Sequence, residues 1–112
     1  MGLFGKKKYE KNMTRDNQFL KTYAIKVNGL LNFVQDNEKV TKELEALKKD
    51  FQYSIGTSAK ENKKLEKKID KDYGALSDML VQSSWDEQEV LRMIRIIRQT
   101  IVEITSNRDA GV

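Results

Sequence analysis

The sequence predicts an all-α protein folded as an antiparallel four-helix up-down bundle. Three observations carry that expectation. The 112 residues contain no proline and only six glycines, so the frequent tight turns of a sandwich or barrel are missing. Apolar residues recur at alternating spacings of three and four, which keeps them on one face of a 3.6-residue helix. Polar breaks near positions 37, 57 and 83 divide the body into four segments of similar length, and equal helices with short connections pack alternately up and down.

Residues 1–12 show no helical period and form a basic flexible arm in this reading. The period starts with Met13 and runs through Leu20, Tyr23, Ala24, Val27, Leu30, Leu31 and Val34, with Phe19 and Phe33 at its edge. Thr14 or Asp16 suits the N-cap. Gly29 inside this helix costs about 1 kcal/mol relative to alanine. It either admits a close neighbour or softens the helix. The stripe fades through Gln35–Glu38, a turn.

Val40, Leu44, Leu47, Phe51 and Ile55 form the second stripe, followed by Gly56-Thr57-Ser58. Glycine fits the left-handed position after a helix end, and Ser58 with Glu61 has the spacing of a capping box, so a turn is expected here. A competing reading exists. Ile55, Ala59, Asn62, Leu65, Ile69, Tyr73, Leu76 and Leu80 continue the stripe in phase. The alternative fold is therefore three helices, one long and central over 40–81, made stable by dimerisation.

The fourth segment, Ser84–Ser106, organises the chain. Ser84 and Glu87 have capping-box spacing, and Asp86, Glu87 and Glu89 favour the positive end of the helix dipole. Val90, Ile94, Ile97, Ile101 and Ile104 follow at spacings of 4, 3, 4 and 3, with Leu91, Met93 and Val102 beside them. The face is wider than a coiled-coil seam and requires two neighbouring helices, or one neighbour and a second chain. The domain limits read as an arm over 1–12, one bundle over 13–108 and a frayed tail over 109–112.

The net charge of +4 belongs to the arm. Residues 1–15 hold Lys6, Lys7, Lys8, Lys11 and Arg15 against Glu10 alone, and the remaining acids and bases balance. Leu3 and Phe4 precede the lysines, joining a small apolar wedge to a cationic cluster. Such a cluster suits an anionic membrane surface or a nucleic-acid backbone bound without sequence preference. The candidate anionic-surface residues are Leu3, Phe4, Lys6, Lys7, Lys8 and Lys11. Lys60, Lys63, Lys64, Lys67, Lys68 and Lys71 make a second basic stripe, diluted by Glu61, Glu66, Asp70 and Asp72 and better read as a solvated face.

The absence of histidine and cysteine removes the usual general base, the usual nucleophile pairs and thiolate or imidazole metal sites. No phosphate-binding glycine loop or EF-hand loop occurs. The expectation is a protein that is not an enzyme, with no cofactor, no metal and no small-molecule substrate. Apolar runs are too short to span a bilayer, and the lysines of MGLFGKKK follow the apolar residues, the reverse of a signal peptide. The expected location is the cytoplasm, peripheral to a membrane if the arm binds one.

Trp85, the sole tryptophan, either closes the bundle end or anchors a partner, since tryptophan is enriched at binding hot spots. It is followed by Asp86 and Glu87, so the Trp-x-Gly turn of the small secreted helical hairpins is not present. Tyr9, Tyr23, Tyr53 and Tyr73 are too scattered in sequence for a base-stacking platform. Arg92, Arg95 and Arg98 are expected to pair with acids on adjacent helices. The functional expectation is a helical protein–protein interaction module, a scaffold or adaptor whose partner is another protein or itself. Its candidate partner-binding residues are Trp85, Leu91, Met93 and Val102.

Overall fold

The computed structural model describes residues 18–54 and 62–106. They form four helices packed against each other, and among the described residues there is no strand. Helix α1 covers 18–30 and runs into a 3₁₀ turn, Leu31–Phe33. Helix α2 is Glu38–Tyr53, α3 is Asn62–Leu80 and α4 is Glu87–Ser106.

The apolar stripes do the packing that their spacing predicts. Val40, Leu44, Leu47 and Phe51 of α2 are buried, as are Ile69, Leu76 and Leu80 of α3. Leu65 and Tyr73, on the same stripe, are half-buried against that core. Val90, Ile94, Ile97, Ile101 and Ile104 are all fully enclosed, because α4 packs along both α2 and α3. Each such side chain contributes roughly 1.5–3 kcal/mol relative to an exposed one. The broad face of α4 thus has its two neighbours within one chain.

On α1, Leu20, Tyr23, Ala24, Val27 and Leu30 are buried. Tyr23 joins three helices: its ring lies 5.4 Å from Phe51 on α2 and 5.1 Å, edge-on, from Tyr73 on α3. Its hydroxyl donates a hydrogen bond to the Asp70 carboxylate on α3. Lys26 Nζ sits 4.6 Å from the centre of the Tyr23 ring, a cation–π contact, and the Tyr73 hydroxyl donates to the Lys26 carbonyl at 3.2 Å. Two tyrosines that are fifty residues apart in the chain, and scattered by sequence, therefore meet.

The helix ends show which punctuation won. Asn37 caps α2, in the turn expected at 35–38. At α4 the cap is Asp86, two residues after the expected Ser84: its Oδ1 accepts from the N–H groups of Gln88 at 2.8 Å and Glu89 at 3.4 Å. An aspartate at this position serves two otherwise unpaired N–H groups and adds charge at the positive helix end. Ser84 is exposed and Glu87 turns to Asn37 instead.

The single long helix over 40–81 is not formed. Helix α2 ends at Tyr53, and Ser54 is extended at φ −76°, ψ 142°. Asp50 of α2 and Lys68 of α3 both bond to the same turn of α4, to Arg98 at 2.7 Å and Thr100 at 3.4 Å. One straight helix cannot place both there. The Gly56-Thr57-Ser58 turn, the Ser58–Glu61 box, the α1 cap candidates Thr14 and Asp16, and the arm and tail lie outside the described residues. Gly29 and Gly74 sit in helix with no neighbour within 4 Å of a Cβ added there, so neither serves a close helix approach.

Candidate functional site

An open, partly apolar trough lies between α1 and α2. Ile25 is 76% exposed and Tyr53 is 72% exposed, the two most exposed large apolar side chains among the described residues. They flank this trough of about 570 Å³, whose floor is Ala24 and whose sides carry Lys21, Asn28, Lys48 and Gln52. Lys48 Nζ donates to Asn28 Oδ1 at 3.0 Å and braces the two helices together.

The local sequence explains why these side chains point outward. Ile25 stands two residues from both Tyr23 and Val27, and Tyr53 stands two residues after Phe51. A step of two turns a helical side chain by about 200°, away from the buried stripe. The charge around the trough is one-sided. Residues 17–35, which include all of α1 as described, contain Lys21 and Lys26 and no acid, and α2 contributes Lys48 to the lining and no carboxylate.

A second cleft, about 460 Å³, opens at the end of the bundle where the α1–α2 and α3–α4 connections meet. Phe33 and Val81 are more than half exposed there, and Trp85 is half-buried against the core. Asp36, Asn37, Gln82 and Ser83 make up much of the wall, so the cleft is mixed in character. Trp85 packs on the core and also lines this cleft.

The four residues singled out for partner contact do not form one surface. Leu91 is 7% exposed and belongs to the core, with little surface left to offer. Met93 is half-buried against that core. Val102 is 59% exposed and lines a shallow trough with Asp50 and Arg98, about 25 Å along α4 from Trp85 at 1.5 Å per residue. Leu3, Phe4, Lys6, Lys7, Lys8 and Lys11 lie outside the described residues. On the basic stripe, Lys63, Lys64, Lys67 and Lys71 are exposed, and Lys68 pairs with Asp72 at 2.8 Å.

Arg98 does pair across helices, with Asp50 at 2.7 Å and Glu43 at 3.4 Å. The Asp50 hydrogen bond raises its already high pKa further. Arg92 pairs instead within its own helix, with Glu89 at 2.9 Å. The groove residues Lys21, Ile25, Lys48 and Tyr53 are the ones that sequence reading missed. The signal was present in part: an isoleucine and a tyrosine each stand off the apolar stripe of their helix.

Among the described residues, no cluster of three or more acidic side chains could hold a metal ion, and no helix is long and apolar enough to cross a membrane. No known protein family, characterised protein or solved structure gives a match to this chain.

Proposed function

We propose that the protein is a non-enzymatic helical interaction module, a small scaffold or adaptor that docks another protein on the α1–α2 groove. The observation that carries this reading is the pairing of Ile25 and Tyr53, both about three-quarters exposed, across a trough between two well-packed helices. Two large apolar side chains facing one trough with a polar rim offer a partner a contact that singly scattered ones do not. The rigid frame favours docking over induced folding, since the floor is fixed by Ala24 and by the buried stripes beneath it.

We read the frame as an up-down bundle in which successive helices reverse direction. Four contacts support the reading. Lys48 meets Asn28, while Tyr23 meets Phe51, so α2 returns along α1. Asn62 bonds to the Ile104 carbonyl at 3.4 Å and Lys68 to Thr100, so α4 returns along α3. Such a bundle holds both groove walls without help from a second chain.

Photo-crosslinking tests the function. A photoreactive residue at position 25, in the full chain and in its native cell, is expected to give discrete protein adducts. The same residue at position 102, which is also exposed, is expected not to give them. Identical adducts from both positions, or none from position 25, would overturn the groove as the docking surface.

A further inference from the structure

Resting on the docking reading above, we infer that the occupant of the α1–α2 groove is an amphipathic helix whose apolar stripe is flanked by carboxylates. The trough runs between two helices, and a third helix is the element that fits such a channel, laying side chains at i, i+4 and i+7 along it. Ile25 and Tyr53 supply the apolar contact on its two walls. Lys21 and Lys48 supply the flanking charge, and among the described residues no acid lines the trough to neutralise them. Charges at a rim of this kind select the partner and speed its approach more than they add to affinity.

The same charges argue against the other occupants. A two-fold contact between copies through this groove would set Lys21 and Lys48 against the lysines of the second copy, with no carboxylate among the described lining residues to answer them. A bilayer surface would meet the lysines well, but it is flat and leaves a trough of about 570 Å³ unfilled. A helix fills the channel and answers the charge together.

A displayed library of helical peptides with a fixed apolar stripe, and flanks randomised among Glu, Lys and Gln, tests the inference on the full chain. Selected binders are expected to be enriched in Glu at the flanks and to lose about tenfold or more in affinity against Ile25→Asp. Ile25 is exposed enough for that change to leave the fold intact, which a melting curve checks. The double variant Lys21→Glu, Lys48→Glu is expected to shift the enrichment from Glu to Lys. Binders that depend on Ile25 but show no flank preference would overturn the acidic helix while leaving the groove as a docking surface. A library that yields no Ile25-dependent binder, or anionic vesicles that bind through Ile25 where peptides do not, would overturn both.

Discussion

Asn37 Nδ2 donates to Glu87 Oε1 at 2.8 Å, while its Oδ1 accepts from the backbone N–H of Val40 at 3.0 Å. One amide thus caps α2 and ties it to the first residue of α4, fifty positions along the chain. Asn37→Ala removes both contacts and is expected to destabilise by about 1–2 kcal/mol in a denaturant titration. Asn37→Asp keeps the cap and loses the donor, setting a carboxylate beside Glu87. An aspartate variant as stable as the wild type would show that the link to Glu87 contributes nothing.

Ile97 is fully enclosed at the middle of α4. Ile97→Ala is expected to cost about 2–5 kcal/mol through lost burial and the cavity left behind. Equilibrium unfolding in urea checks it. A loss below about 1 kcal/mol would mean that the core collapses around the smaller side chain.

Glycine should be dispensable at two helical positions. Neither Gly29 nor Gly74 has a positive φ, and an added Cβ meets nothing within 4 Å at either. Each Gly→Ala change is expected to stabilise by about 0.5–1 kcal/mol through helix propensity. A thermal melt of the single and double variants reads this directly, and a lower melting temperature would contradict it.

Stability should fall at alkaline pH. Burial raises the Tyr23 pKa above its ordinary value of 10.0, and the Asp70 hydrogen bond and charge raise it further. Burial also raises that of Tyr73. The folded state therefore keeps protons that the unfolded chain releases above about pH 10. The contribution is complete below that pH and is lost as pH climbs through the folded-state values. Tyr23→Phe is expected to lower stability at pH 8, by losing the Asp70 bond, and to flatten the decline above pH 10. Unfolding free energies measured across pH 8–11 test both halves.

Arg98 bridges α4 to two acids of α2 while remaining over a third exposed. Solvent screening holds such a bridge to modest value, so Arg98→Ala is expected to cost about 0.5–1 kcal/mol. The loss should shrink in 1 M salt, where exposed charges are screened. A cost unaffected by salt would assign the effect to packing of the arginine stem.

The sequence by itself determined the helical class, the buried stripes and the turn before α2. These follow from spacing and capping, which act within a few residues. Val90 through Ile104 were legible as a face needing two neighbours because a stripe that broad cannot be solvated at low cost. Phase could not decide whether α2 and α3 were one helix, because both keep a 3.6-residue repeat and the intervening residues happen to preserve it. Ser54 leaves the helix, and the side-by-side packing of α2 and α3 on α4 settles that question. The groove was hidden for a related reason. Ile25 and Tyr53 each stand off the apolar stripe of their helix, twenty-eight positions apart, and only the packing of α1 on α2 sets them on two sides of one trough. Leu91 shows the converse: its place beside the stripe suggested a free edge, but the helix rotates far enough between its two neighbours to bury it. Periodicity fixes which residues share a face. How far each face is covered depends on the rotation and neighbours of every helix, which are set by the sum of contacts across the whole core.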